Sequence, residues 1–391
     1  MMVHDTPLGA WELPEELVAL RDTVKKFMKD KVRPIEERQP HDAYSLPPAD
    51  LASLSNEAKS LGLWCLASPG QYGGGGLNLL AQVIVAEEAA KCRMGAYVPA
   101  CGAFGIDPPS VIWLGNEDQR QKYGVQGIAN GKKCFVAISE SGGGSDPART
   151  IQTRAVRDGD HYVVNGSKLW ITGAGDADWG IVFARTGEKG HGEGITAFIV
   201  DRDTPGITTH EVPVIRSYAP FEVGFSDVRI PEENRLGKEG QGFTICQKWL
   251  VHARIPYSAA VIGIAQEALS MAIVWARDRK VHKSALADKQ AIQWMIADSE
   301  IELRAARLLV WQAAWNADLG KDIKIDASVA KLYSTETAGR VIDRCVQIFG
   351  AMGVARELPI ERWYRELRIK RIGEGPSEVH RMVLAREMLK S

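Results

Sequence analysis

The stretch Tyr162-Val163-Val164-Asn165-Gly166-Ser167-Lys168-Leu169-Trp170-Ile171-Thr172 breaks a chain that is otherwise patterned for helices. Its β-branched and aromatic runs flank Asn165-Gly166, a dipeptide suited to two-residue hairpin turns, where the backbone needs positive φ. Similar runs recur at Cys134-Phe135-Val136-Ala137-Ile138, Gly180-Ile181-Val182-Phe183 and Thr196-Ala197-Phe198-Ile199-Val200, with a second turn dipeptide at Asp158-Gly159. From Lys133 to about Arg235 the periodicity is that of strands. No helical pattern alternates with them, so a parallel doubly wound sheet is disfavoured and an antiparallel β-domain is expected.

On either side the period returns to that of helices. Upstream, Leu17, Leu20, Val24 and Phe27 share one helix face, and Pro34 predicts its end. The glycine-rich run Gly70-Gln71-Tyr72-Gly73-Gly74-Gly75-Gly76 follows no strand, so it reads as a loop rather than a dinucleotide cradle. Downstream of Gly242 two stripes predict long packed helices. Val329, Leu332, Tyr333, Val341, Ile342, Cys345, Ile348 and Phe349 form one, and Ile301, Ala305, Leu308, Leu309 and Trp315 the other. Trp294, Trp311 and Trp315 read as core or interface residues. The fold class expected is mostly α with a central antiparallel, barrel-like β-domain: helical 1–131, β 132–240, and a four-helix bundle 241–391.

Composition narrows the function classes. The 391 residues are 45% hydrophobic and 25% charged, with a formal net charge of -1, so there is no bias toward nucleic acid. There is no long uninterrupted apolar run, and Met1-Met2-Val3-His4-Asp5 lacks the layout of a secretory signal, so a soluble, cytoplasmic protein with no membrane partner is expected. Cys65, Cys92, Cys101, Cys134, Cys246 and Cys345 show no ligand spacing, which predicts reduced, mostly buried thiols and no metal.

Near the C-terminus, Arg368-Ile369-Lys370-Arg371-Ile372-Gly373-Glu374-Gly375-Pro376-Ser377-Glu378 sets one carboxylate between two glycines. Flexible flanks could aim Glu374 into a cavity as a general base. The competing reading is a loop carboxylate paired with Arg371 or Arg368.

Four motifs in order resemble the acyl-CoA dehydrogenase family. They are Ser139-Glu140-Ser141-Gly142-Gly143-Gly144-Ser145-Asp146, Trp170-Ile171-Thr172-Gly173, Gln347-Ile348-Phe349-Gly350-Ala351-Met352-Gly353, and Tyr364-Arg365-Glu366 followed by Gly373-Glu374-Gly375. The resemblance spans nearly the whole chain. It implies an FAD-dependent α,β-desaturation of an acyl-CoA thioester, with Glu374 taking the α-proton and its backbone N–H helping to hold the enolate oxygen. It also implies that Ile138, Ser139, Trp170 and Thr172 lie along the flavin ring. Arg279 and Gln290, joined by Gln347 and Gly350 of a neighbouring protomer, would hold the ADP part of FAD. Ser145 would contact the phosphates of FAD or of the CoA substrate, and Arg254 and Gly375 would meet the substrate. Ser145 has a rival role as a turn hydroxyl, and Trp170 one as a core residue.

An electron-transferring flavoprotein as acceptor and a homotetramer built as a dimer of dimers are implied in the same way. Departures stand at His282-Lys283 (usually Phe-Gly), Ser141 (usually Pro), Ala351 (usually Gly) and Pro376 (usually Thr). Asp107, in Gly105-Ile106-Asp107-Pro108-Pro109, could face the acyl group or cap its own loop. An acyl-CoA oxidase or another non-dehydrogenating member of the fold is the alternative function.

Overall fold

The computed structural model describes residues 13–187 and 192–390; the Met1–Asp5 reading therefore lies outside the described residues. The N-terminal part is built from α1 (Glu15–Phe27), α2 (Pro48–Ser60) and α3 (Leu79–Ala89), joined by loops and short turns. Pro34 does not stop the first helix. A wide turn, Met28–Val32, absorbs the missing amide, and the chain continues helically through Arg33–Glu36 with Pro34 in its first turn. The glycine-rich run is a loop, as expected.

Eight strands follow: β1 (Cys134–Ala137), β2 (Arg154–Asp158), β3 (His161–Thr172), β4 (Trp179–Arg185), β5 (Ile195–Asp201), β6 (Ile207–Glu211), β7 (Pro220–Pro231) and β8 (Arg235–Leu236). They form one sheet: seven run in the order β6-β7-β3-β2-β4-β5-β8, and β1 pairs with β4 off that path. Most pairings are antiparallel, but β1 runs parallel to β4, as does β2 at the Arg154–Arg185 pair. Because β4 is buried on both faces, its sequence is a continuous apolar run that carries no orientation signal.

Asp158-Gly159 does sit at a hairpin turn, between β2 and β3. Asn165-Gly166 does not. It lies within β3, where the register against β7 shifts between Val164 and Gly166. Gly166 has φ +142°, and a Cβ there would come within 2.7 Å of the Thr153 backbone. The dipeptide makes a bulge in one long strand because both of its halves find partners in β7.

The C-terminal part comprises α4 (Gly242–Asp278), α5 (Gln290–Asp318), α6 (Lys324–Phe349), α7 (Ile360–Lys370) and α8 (Ser377–Met388). α4 is long and apolar enough to cross a membrane by composition, yet 61% of its most apolar window is buried inside the protein, as befits a core helix. α3 crosses it where Gly263 has no side chain; a Cβ there would stand 2.0 Å from the Glu87 carbonyl. Asp318, at the end of α5, accepts the Leu79 and Leu80 amides (2.8 and 3.0 Å) and so caps α3 from the bundle.

Both helix stripes need correction. On α5 the buried face is Ser299, Leu303, Ala306, Val310, Ala313 and Ala314, whereas Ile301 and Leu308 are exposed. On α6 the second half of the stripe is buried as expected, but in the first half the core side is Ala327, Ala330, Lys331, Ser334 and Thr335. Lys331 faces inward there because it meets the Arg371 and Gly375 carbonyls at the site described below.

All six cysteines are free, and five are buried. Folding brings Cys101 Sγ to 3.9 Å from Cys92 Sγ and 3.5 Å from Glu36 Oε1, a proximity their spacing in the chain does not show. The Glu36 oxygens accept the Arg93 and Met94 amides.

His282 and Lys283 form a two-residue turn between Lys280–Val281 and Ser284–Ala285, with φ of 49° and 67°. Side chains with a Cβ are strained in that conformation, which Asn and Gly accept readily. Lys283→Gly is expected to raise stability by about 0.5–1 kcal/mol, the relief of left-handed strain less the entropy cost of glycine, measured by denaturant unfolding. No gain, or a loss, would show that the lysine side chain holds the turn.

Candidate active site

Helix α7 ends at Lys370, and the chain then turns through Glu374 (φ +57°) and Gly375 (φ +94°) before α8 begins. A left-handed Glu costs about 1–2 kcal/mol, so contacts must hold it. Its carbonyl accepts Arg254 Nε from α4 (2.9 Å) and the ring of His380 from α8 (3.2 Å). The next carbonyl, of Gly375, accepts Lys331 Nζ from α6 at 2.6 Å, and Lys331 also reaches the Arg371 carbonyl at 3.2 Å. A Cβ on Gly375 would stand 3.1 Å from His380 Nε2.

The carboxylate itself is left without a bond. Glu374 Oε2 is buried and has no hydrogen-bond partner among the described residues. Arg371 is occupied by Glu336 (2.8 Å), so the surface-pair reading fails. No group among the described residues accepts the Glu374 backbone N–H. Burial raises the Glu374 pKa, opposed by the positive charges of Arg254, Lys370 and Lys331. Those charges carry the same burial cost. Lys331 is pushed down to about 8, and His380 down to about 4 by burial and by Arg254 and Lys331. His380 is therefore neutral at pH 7, and its Nε2–H donates to the Glu374 carbonyl.

A second group sits at one end of the sheet. β3 bulges again between Lys168 and Ile171, and there Trp170 takes φ +68° and stays 54% exposed rather than entering the core. In place of a partner on β7, the Leu169 amide donates to the Ser139 carbonyl (2.9 Å). Lys168, fully buried, donates to the Ile138 carbonyl (3.1 Å) and pairs with Glu140 at 2.8 Å. The Glu140 oxygens also accept the Gln152 and Thr153 amides, so this motif glutamate anchors the loop. Ile138, Ser139, Trp170 and Thr172 thus come together. Ser145 lies exposed on the same loop.

The two groups are bridged. Arg216 Nη2 donates to Thr172 Oγ1 at 2.9 Å, and the same guanidinium lies 4.0 Å from the ring centre of Tyr97, which Lys370 Nζ also approaches at 4.0 Å. The exposed Trp170 and the unbonded Glu374 oxygen are features that a flat ring and a polar reactant would satisfy, which fits a flavin and a thioester.

Arg279, Gln290, Gln347 and Gly350 are exposed and cluster at the far end of the bundle. The Trp275 and Phe349 rings, 5.3 Å apart, join that end. Along α4 it lies about 37 Å beyond Arg254. These four do not join Glu374 within one chain. Asp107 accepts the Ala67 amide and the Ser68 amide and hydroxyl through one oxygen (3.1, 2.8 and 2.7 Å), so it ties its loop to the Ala67–Ser68 turn rather than capping its own.

The first group and the bridge contain residues that the sequence reading passed over: Lys331, His380, Lys370, Arg216, Tyr97, and Tyr257, whose hydroxyl donates to the Lys370 carbonyl at 3.1 Å. Lys331 was detectable, since a lysine among Ala327, Ala330, Ser334 and Ala338 sits on a buried helix face. The others carry no local signal.

The N-terminal, middle and C-terminal domain models of acyl-CoA dehydrogenases match residues 14–132, 134–228 and 240–389. This chain belongs to the acyl-CoA dehydrogenase family. It is 37% identical over 387 residues to the mitochondrial short-chain specific acyl-CoA dehydrogenase of Bos taurus, covering 97% of this chain and 92% of that one. Butyryl-CoA dehydrogenase from Megasphaera elsdenii superposes with a TM-score of 0.86 at 32% identity, covering 97% and 99%. A glutaryl-coenzyme A dehydrogenase in complex with glutaryl-CoA does so with a TM-score of 0.86 at 29%, covering 97% and 96%. Membership of this acyl-CoA dehydrogenase family makes the chain an oxidoreductase.

Proposed function

We propose that this acyl-CoA dehydrogenase removes the α-proton of an acyl-CoA thioester with Glu374 while FAD, its cofactor, supplies the acceptor for hydride from the β-carbon. The observation that carries this reading is the buried, unbonded Glu374 Oε2, held in a left-handed turn by Arg254, His380 and Lys331. A carboxylate stripped of water and hydrogen bonds is a stronger base than one in solvent. The free Glu374 N–H is positioned next to that base as a donor for the thioester oxygen, where charge develops as the proton leaves. Arg254 fixes the turn and keeps a positive charge beside it. Ile138, Ser139, Trp170 and Thr172 are the residues that would hold the flavin ring, Ser145 and Gly375 would meet the thioester side, and Arg279, Gln290, Gln347 and Gly350 would hold the ADP part from a neighbouring subunit.

Electrons would pass to an electron-transferring flavoprotein. A homotetramer is supported by an exposed row on α5, Trp294 (61%), Ile301 (66%) and Leu308 (41%), seven residues apart. An apolar line of that kind on a helix is a packing surface.

The test is to add a panel of acyl-CoA thioesters to the purified flavoprotein without oxygen and follow flavin absorbance. Loss of absorbance with at least one thioester, with electrons then accepted by an electron-transferring flavoprotein, is expected. Absence of any response would remove the desaturase reading, and rapid reoxidation by oxygen alone would favour the oxidase. Arg279→Ala is expected to lower flavin occupancy after dialysis severalfold while leaving the melting of the ligand-free protein within about 0.5 kcal/mol of wild type. Unchanged occupancy would remove Arg279 from the flavin site.

A further inference from the structure

The base and the flavin surface leave a set of buried cations without a task. Lys370, 5% exposed and one turn before Glu374, holds its ammonium over the rings of Tyr97 (4.0 Å) and Tyr257 (4.2 Å), and makes no hydrogen bond or ion pair among the described residues. Arg216, 7% exposed, spends one nitrogen on Thr172, but its Nε is buried without a partner. The Tyr97 hydroxyl is buried and unpartnered too.

The charges around them do not balance. Around Lys370 stand the cations Arg216 and Lys331 and the carboxylates Glu366 and Glu374; Glu366 is already held by Arg362 at 3.0 Å, and Lys331 also feels Glu336 and Glu378. The crowding is severe enough to push Lys370 down to about 7, through burial first and then the repulsion of Arg216. A hydrocarbon acyl tail packed here would seal charged donors away from water with nothing to accept from them, a costly arrangement.

Resting on the desaturase reading, we propose that the acyl group carries a second, terminal carboxylate, bound by Lys370, Arg216 and the Tyr97 hydroxyl. The substrate class is then the mono-CoA thioester of a short dicarboxylic acid. Ammonium, guanidinium and phenol form a donor set suited to a carboxylate. The anion belongs to the acyl end rather than to CoA phosphates, because Thr172 and Glu374, the groups nearest the chemistry, flank the cluster. The Tyr97 and Tyr257 rings beneath the Lys370 ammonium favour its charged form, against the burial and the Arg216 repulsion that lower its pKa, and a bound carboxylate would add to that support.

The experiment compares matched thioesters, pentanoyl-CoA with glutaryl-CoA and hexanoyl-CoA with adipoyl-CoA, on the holoenzyme and on Lys370→Met. In wild type the carboxylated member of each pair is expected to have the higher kcat/KM by at least about tenfold, the scale of one charge-assisted hydrogen bond. Lys370→Met should cut that ratio at least about tenfold, mainly through KM, while raising the melting temperature of the ligand-free protein. A structural lysine would instead lower both members together and leave the ratio unchanged, which refutes the proposal. A holoenzyme that takes hexanoyl-CoA and refuses adipoyl-CoA refutes it as well and keeps the desaturase reading; one whose flavin no thioester reduces refutes both.

Discussion

Glu374→Gln is expected to keep its flavin and to lose about 10²–10⁴-fold or more in the rate of flavin reduction, the range attributed to a positioned general base. The amide matches the carboxylate in size and cannot take the proton. Burial raises the Glu374 pKa against the pull of Arg254, Lys370 and Lys331. The base acts ionised, so wild-type activity should rise with pH through that raised value, giving an acidic limb above the usual glutamate range. The stability consequence has a definite sign. A carboxyl with a raised folded pKa contributes stability that is complete below its unfolded value and is lost as pH rises through the folded one. Glutamine carries no such loss. The variant should therefore melt above wild type at neutral pH, with the gap closing as the pH is lowered. Anaerobic stopped-flow and melting curves across pH read both effects. A variant that turns over normally, or one that melts lower at neutral pH, would remove Glu374 from its assigned place.

Arg362→Met should destabilise the protein by about 3–5 kcal/mol, because it strands a buried carboxylate. Arg362 is 1% exposed and ties three partners: Glu366 on its own helix at 3.0 Å, and the carbonyls of His41 and Ala43 in the N-terminal part at 2.8 and 2.7 Å. Beside it, the Trp363 indole donates to the Cys92 and Arg93 carbonyls. These bonds dock α7, and hence Glu374, onto the N-terminal helices. Burial raises the Glu366 pKa and Arg362 opposes it, so without the arginine that carboxyl should protonate. Adding Glu366→Leu should recover much of the loss, since a neutral apolar pair of similar volume needs no counter-charge. Denaturant unfolding of the single and double variants reads this directly. A single variant within about 1 kcal/mol of wild type would show that the two parts are held together elsewhere.

The sequence was most faithful in placing buried strands, whose apolar runs stand out from the helical period. β1, β4 and β5 were legible as apolar runs, and the helical and strand zones were placed by the change of period alone. It misled where both sides of an element find partners. Asn165-Gly166 reads as a turn from its neighbours in the chain, but β7 pairs on either side of it and turns it into a bulge. The α5 stripe failed for a related reason: Ile301 and Leu308 are apolar, yet they face away from this chain's core.

By itself the sequence determined the three zones, the order of the motifs, and that Glu374 lies in a glycine-flanked turn, because each of these depends on residues within a few positions of one another. Only the tertiary structure decided that Glu374 is unbonded and raised in pKa, and that Arg254, Lys331 and His380, from three different helices, hold its turn. It also decided that Lys370 and Arg216 share the ring of Tyr97. Desolvation and charge balance are sums over everything that packs around an atom, and residues more than 100 positions apart contribute to them without leaving a local trace.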